Sequence, residues 1–484
     1  MTTNAQALPV QDPGYVRPRA PMRVTDVRID MFLFLLGCWW QLAVYESLQP
    51  SVAAALFWIA GTSTLWLTRT YLRLERAMFA RLFSIGWFMA GIAAVYANLL
   101  QDPLQLASDA ATFFDLARGE SVGLALEDIR EITEGAGAVV LWRSVYDFFA
   151  GIGFEKGRYI GILMNVTCVA LAGVVALRMA RLVYGSDQAR LRRLILIFSS
   201  CGLLWLFSAI HLRDSLVFLT VTANCFVWVR YLVAPRVWGL AWLALANILF
   251  FLSFAFLRSE FVFVPIAMFL AALGAVILTR TASGRQRPLV YAAFAFSLIL
   301  TGLLYVNLGD ELIFALTRGT EGYLAHSAEE AAADSLGMAL VVNQALPIRL
   351  VLGSAYLFVF PIPFWSGFQL ESASPLFKSA NVLFFYALTP LLLLSLVRIW
   401  HINAQFNRVN VFLALVAFGF TLGIAGTSLE TRHFGAFLAP FFVLALLPDL
   451  SQPRVQHVYK RWLSYFLALM AVVHVAWAVL TLAK

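Results

Sequence analysis

Within Ser208-Ala209-Ile210-His211-Leu212-Arg213-Asp214-Ser215-Leu216, a histidine, an arginine and an aspartate fall within four residues, between two long apolar runs. Further short stretches share that character: Leu257-Arg258-Ser259-Glu260, Arg349 at the start of another apolar run, and Glu430-Thr431-Arg432-His433. A guanidinium is a planar fork that grips phosphate oxygens two at a time. A carboxylate or neutral imidazole beside it can take a proton from a hydroxyl. Together these groups suit a reaction in which an anionic leaving group is stabilised by fixed cations in a low-dielectric site. Charge inside an apolar segment costs about 2.5–3.5 kcal/mol on the most lenient scale, which makes each stretch a candidate functional site. The plainer alternative is that each arginine reaches a lipid headgroup or pairs with the acid beside it.

The elements that must position these groups follow from composition. The chain is 61% hydrophobic and 13% charged, outside the range of ordinary soluble domains. Many windows of about 20 apolar residues can each cross a hydrocarbon core of about 30 Å, and such runs must be helical to satisfy their own backbone. The expectation is an all-α, polytopic integral membrane bundle of about 13 spans plus one re-entrant segment. Residues 1–28, polar and carrying Pro9, Pro13, Pro18 and Pro21, read as a disordered tail; residues 29–484 form the membrane domain, with large polar loops at 101–158 and 307–346. The net charge of +8 sits mostly in short basic clusters between apolar runs. That placement signals membrane orientation, with the N-terminus in the cytoplasm, rather than a nucleic-acid partner. Cys38, Cys168, Cys201 and Cys225 all lie in apolar runs without ligand spacing, so neither a disulfide nor a metal is expected.

Alternating the spans sorts the charged helix ends into two classes. One face is almost purely basic. The other mixes acid with base: Asp109 and Asp115, His211-Arg213-Asp214, Arg258-Glu260 and Glu430-Arg432-His433, with Arg349 on the same face. Asp109, Asp115 and His211 are the candidate catalytic acids and bases, and Arg213, Arg258, Arg349, Arg432 and His433 the candidate phosphate or glycan ligands. Asp214, Glu260 and Glu430 are read as structural partners, Asp214 holding Arg213. In the first loop, Leu106, Ala110, Phe113, Phe114 and Ala117 recur at helical spacing opposite Ser108, Asp109, Thr112 and Asp115, which predicts an interfacial amphipathic helix. Val139–Phe149 reads as an aromatic interfacial belt. Ile348–Trp365, with Pro347, Pro361 and Pro363, suits a segment that enters and leaves on one face; the alternative is a full crossing, which inverts the orientation of everything after it.

The stretch Ser108-Asp109-Ala110-Ala111-Thr112-Phe113-Phe114-Asp115-Leu116-Ala117, followed by Tyr146, Gly151-Ile152-Gly153, Arg158 and Asn165, resembles the acidic first loop of GT-C-type membrane glycosyltransferases. His211-Leu212-Arg213-Asp214, Leu257-Arg258, Phe360-Pro361-Ile362-Pro363-Phe364-Trp365 and Glu430-Thr431-Arg432-His433-Phe434 with Pro440 look like exopolysaccharide and O-antigen polymerase-like proteins. The resemblance implies an enzyme of the bacterial inner membrane that joins sugars from polyprenyl-(pyro)phosphate-linked donors into an envelope glycan on the non-cytoplasmic face. It implies no cofactor, and other polysaccharide-assembly proteins as partners. Two other classes stay open: a transporter or flippase of a lipid-linked glycan or small solute, and a non-catalytic subunit of a secretion complex. Transporters bind near the midplane through broken helices and internal repeats, whereas these charges sit at span ends and no repeat is visible.

Overall fold

The computed structural model describes residues 24–67, 73–102, 109–119, 136–279, 341, 344–368, 372–399 and 404–482, an all-helical membrane bundle with no strand among them. In chain order the helices are α1 (Val24–Tyr45), α2 (Gln49–Leu67), α3 (Arg73–Leu99), α4 (Asp109–Arg118), α5 (Ala136–Gly151) and α6 (Arg158–Tyr184). Then come α7 (Gln188–Ser199), α8 (Gly202–Ala209), α9 (Asp214–Val233), α10 (Val237–Leu257) and α11 (Val264–Thr279). The chain ends with α12 (Leu346–Val359), α13 (Ala373–Arg398), α14 (Ala404–Gly426), α15 (Thr431–Gly435), α16 (Leu438–Leu444) and α17 (Pro453–Leu482). A backbone surrounded by hydrocarbon finds no water, so each apolar run closes its hydrogen bonds along itself.

Among the described residues, 10 helices are long and apolar enough to cross a membrane, and 11 if α7 and α8, bent by 56°, count as one. One of the spans expected from the sequence, the apolar run 289–306, lies outside the described residues, as do Leu106 and Ser108, most of the 307–346 loop and residues 1–23 of the tail. The apolar run after Arg432 forms two short helices of 5 and 7 residues instead of one long one. Its walls are protein on every side, so it can dispense with a continuous helix. At Gly435 a Cβ would come within 2.4 Å of the Phe207 ring, so close approach to α8 governs this stretch.

Burial separates core from rim. In α6, 78% of the apolar window is buried, against 11% in α17, so α6 is the axis and α17 a peripheral, lipid-facing helix. The two ends of α6 define the two ends of the bundle. At its C-terminal end Arg178 and Arg181 donate to the buried Glu75 carboxylate at 3.4 and 3.1 Å. There too Tyr184 donates to Asn410 Oδ1 (3.2 Å) and to the Val443 carbonyl (3.1 Å). Near the other end, Asn165 Nδ2 donates to the carbonyls of Ile210 (2.9 Å) and Leu212 (3.0 Å), clamping the turn between α8 and α9.

The 14 residues of α12 span about 21 Å, short of a 30 Å core by roughly a third. Arg349, in its first turn, donates to the Gly426 carbonyl at 2.9 Å. Further along, Phe358 packs on Phe385 with ring centroids 5.1 Å apart. After two cis prolines, Pro361 and Pro363, the chain reaches Ser372, which donates to Asp102 Oδ1 at 2.7 Å. The Ala373 N–H donates to Asp102 Oδ2 at 3.0 Å, so a carboxylate from the end of α3 caps the start of α13.

Candidate functional site

The charged stretches at positions 211–214, 258–260 and 428–433 come from three helix junctions, α8–α9, α10–α11 and α14–α15, and the structure brings them together at one end of the bundle. Arg258 is the hub. Only 5% exposed, it donates from Nη1 to Asp214 Oδ1 at 3.2 Å and from Nε to Glu260 Oε2 at 2.5 Å. Its Nη2 donates to His433 Nε2, and its guanidinium lies 5.4 Å from the centre of the Phe261 ring. Asp214 is the first residue of α9, where its charge also meets the positive end of the helix dipole.

That geometry fixes the His433 tautomer. Arg258 is always protonated, so His433 Nε2 is the acceptor; Nδ1 therefore carries the proton and donates to Ser428 Oγ at 2.8 Å. Burial, reinforced by the Arg258 charge, holds the imidazole down at about 3. His433 is neutral at physiological pH and has both nitrogens occupied, so it is a spacer between Arg258 and Ser428, not a proton carrier.

Glu430 accepts from Arg432 Nε at 3.1 Å. Burial pushes its carboxyl up, but the charges of Arg432 and Lys378 outweigh burial and hold it at about 2. Burial lowers Arg432 in turn, and Glu430 and Asp214 more than compensate, leaving it above its ordinary value. Arg213 is half-buried, with its guanidinium 5.5 Å from the centre of the Phe113 ring and its charge felt at Glu260. Asp214 was expected to hold Arg213. Instead, Asp214 pairs with Arg258, and Arg213 rests on an aromatic ring.

The aromatic floor comes from α4 and α5. As the spacing predicts, Ala110, Phe113, Phe114 and Ala117 are buried while Asp109 and Asp115 are exposed. Phe113 meets Trp142 and Phe114 meets Tyr146, with centroids 5.8 and 6.0 Å apart. Arg143 Nη2 donates to the Leu116 carbonyl at 2.7 Å, tying down the last turn of α4. Arg158, at the start of α6, sits 4.8 Å from the centre of the Phe114 ring.

His211 lies beneath this floor. It is 1% exposed, with Trp142 at 4.2 Å between ring centroids and its Nε2 3.1 Å from Tyr146 Oη. The Gly161 N–H donates to the same hydroxyl at 3.2 Å. Position 161 must be glycine, because a Cβ would stand 2.1 Å from His211 Nε2. Burial, with Arg158 second, holds His211 at about 3; it is a neutral packing element of the α8–α9 turn. Burial likewise pushes the Tyr146 phenol well above its ordinary range.

Arg349 is engaged with the carbonyl of Gly426, the last residue of α14, beside the α14–α15 junction, and makes no ion pair with the cluster's carboxylates among the described residues. Tyr146 stood among the residues of the first-loop resemblance, whereas sequence reading missed Lys378, Ser428 and Trp142 as parts of the constellation. Lys378 is the only one with a sequence signal, a lone cation near the start of an apolar run. Among the described residues no group of three or more His, Cys, Asp and Glu side chains could hold a metal. No protein-family model matches the chain, and the search of curated proteins returns no relative.

Proposed function

We propose that the chain is a bacterial inner-membrane enzyme, N-terminus in the cytoplasm, that transfers sugars from polyprenyl-(pyro)phosphate-linked donors to a glycan on the non-cytoplasmic face. The observation that carries this reading is the division of labour among the arginines. Arg258 is buried and committed to Asp214, Glu260 and His433. Arg432 and Arg213 are only half-buried, and with Lys378 they form the cationic rim of the same cluster. Such a rim, held rigid by a neutralised hub, suits the developing charge of a departing phosphate. The acceptor hydroxyl oxygen attacks the anomeric carbon, the bond from that carbon to the phosphate oxygen breaks, and the lipid (pyro)phosphate leaves with the electron pair. The hydroxyl proton needs a base. Asp214, Glu260 and Glu430 are tied to arginines, whereas Asp109 and Asp115 are exposed on α4, and they take that role in this reading.

The topology fits. The segment 348–365 enters and leaves at one end in this reading. Supporting it, Arg349 bonds at the Gly426 end of α14, Phe358 reaches the depth of Phe385, and Ser372 returns to Asp102. Residues 436–448 make a broken crossing, supported by Arg193 Nη2 donating to the carbonyls of Leu446 and Pro448 at 3.3 and 3.0 Å. With run 289–306, these bring the span count towards 13.

Broken helices favour the second reading, transport. Against it, the N-terminus of α8 at the break already has an occupant: Asn381 Oδ1 accepts the Leu203 N–H at 3.3 Å. Reconstituted protein supplied with a lipid-linked sugar and an acceptor glycan separates the readings. The enzyme reading expects a new glycosidic bond, with Arg432→Gln slowing the reaction roughly 100-fold or more and Arg349→Gln leaving it within about threefold. Transbilayer movement of the donor with no bond formed overturns it.

A further inference from the structure

At the opposite end of the bundle a cavity of about 690 Å³ opens between the end of α6, the start of α7, the end of α13 and the chain after α16, lined by Tyr184, Arg190, Arg398, Asn410, Leu447 and Asp449 among others. Its polar floor is fixed, with Tyr184 Oη donating to Asn410 Oδ1. Arg190 is held between Asp187 (3.3 Å) and Asp449 (3.6 Å), its guanidinium 5.3 Å from the centre of the Tyr184 ring. Asp449 is fully subscribed: it accepts from the Ser451 N–H (3.1 Å), Ser451 Oγ (2.7 Å) and Gln452 Nε2 (3.2 Å) besides Arg190.

Arg398 is different. It closes the last turn of α13, lines the cavity, and among the described residues makes no ion pair or side-chain hydrogen bond. Behind the cavity, Arg193 donates through Nη2 to the carbonyls of Leu446 and Pro448, while its buried Nη1 has no hydrogen-bond partner among the described residues. Of the two arginines on the cavity wall, Arg190 is paired with carboxylates, which leaves Arg398 as the cation open to an anion. The remaining walls, Leu182, Val183 and Leu447, are apolar. A free phosphate ion leaves those walls wet, whereas a lipid covers them with the root of its acyl chains.

We infer that this cavity is a binding site for the phosphate headgroup of an anionic phospholipid, with Arg398 as its principal ligand. Basic pockets between spans on the cytoplasmic side are where such headgroups are held, and this is the end that the basic loops assign to the cytoplasm. The inference is independent of the glycosyl-transfer reading.

Native mass spectrometry of the purified full-length chain, titrated with cardiolipin or with phosphatidylcholine, tests it. The wild type is expected to retain cardiolipin, and Arg398→Gln to bind it roughly tenfold more weakly, with Arg398→Lys intermediate. Because Arg398 holds nothing else in place among the described residues, thermal unfolding of Arg398→Gln in phosphatidylcholine should match the wild type. Arg461→Gln, which removes an exposed arginine of α17, should bind cardiolipin like the wild type. Equal binding by Arg398→Gln and the wild type overturns the site. An equal loss in Arg461→Gln overturns it in favour of general annular attraction. Displacement of cardiolipin by soluble pyrophosphate at comparable concentration overturns the lipid assignment.

Discussion

Replacing Arg258 by methionine keeps the apolar stem and deletes the charge, and its consequences can be worked out in order. Arg258 faces two carboxylates whose side chains are 6% and 20% exposed. Removing one partner of a buried ion pair costs about 3–5 kcal/mol, because the other charge is left uncompensated. Most of that loss falls on Asp214. Glu260 has more access to water and feels the Arg213 charge, so it adds less, and His433 Nε2 loses its donor. The expected loss is about 4 kcal/mol at neutral pH. Replacing the whole network by neutral groups is often close to neutral in stability. The triple variant Arg258→Met/Asp214→Asn/Glu260→Gln should therefore recover to within about 1–2 kcal/mol of the wild type. Reversible unfolding in mixed micelles, followed by far-ultraviolet circular dichroism, measures both. A single variant that loses less than about 1 kcal/mol, or a triple variant no better than the single, refutes the hub.

The same variant carries a pH signature. With Arg258 gone, Asp214 and Glu260 confront His433, and its imidazolium becomes the replacement cation, moving its folded pKa above the ordinary 6.5. A raised folded value contributes stability in full below the unfolded pKa and loses it as pH rises through the folded one. The defect of Arg258→Met should therefore shrink at about pH 5.5 relative to about pH 8. Adding His433→Gln should abolish that relief.

The wild type should behave in the opposite sense. His433 and His211 are both held at about 3, so the unfolded chain binds protons first, and stability falls as pH drops from about 6.5 towards 3, by about 1.4 kcal/mol per unit for each histidine and about 2.7 for the two together. Glu430, held at about 2, adds a further loss below its ordinary value of 4.5; equilibrium unfolding across that range checks the slope, which His433→Gln should halve above pH 4.5. Gly161→Ala drives a Cβ into His211 and should cost about 1–3 kcal/mol, whereas Ala→Gly changes at lipid-facing helix positions cost about 1; thermal shifts of the two should separate clearly. Asn165→Leu removes the side-chain donor from the buried Leu212 carbonyl and leaves the Ile210 carbonyl with the Leu212 N–H alone, and should cost about 1–3 kcal/mol, read in the same assay.

The helical membrane architecture was legible because apolar runs of that length leave the backbone no other solution. The charged ends were legible too, because each stands out against a greasy background. Two things were not. Hydropathy cannot distinguish a lipid-facing span from a run that descends through the protein core, so the stretch from 436 to 448 looked like an ordinary helix, although Gly435 and its fully buried walls break it. Partner choice was also hidden. Asp214 finds Arg258, 44 residues away, and Arg258 finds His433, 175 residues away. Arg213 and Asp214 are adjacent, and adjacent residues at a helix start do not face one another, so proximity in sequence pointed to the wrong pair.

That correction bears on what the cluster can bind. An arginine already paired with an acid is not thereby spent, because the pairs differ. Arg258 commits Nε, Nη1 and Nη2 to three separate partners and has no edge left for a ligand. Arg432 commits only Nε to Glu430, and among the described residues its two Nη groups carry no hydrogen bond. Glu430 is held at about 2, so it stays ionised and keeps hold of Nε throughout the physiological range. The acid therefore fixes the angle of the fork while leaving its end open, and an oriented guanidinium loses less entropy on meeting a phosphate than a free one. Arg432, not the more buried Arg258, is the arginine whose loss should cost catalysis more than stability.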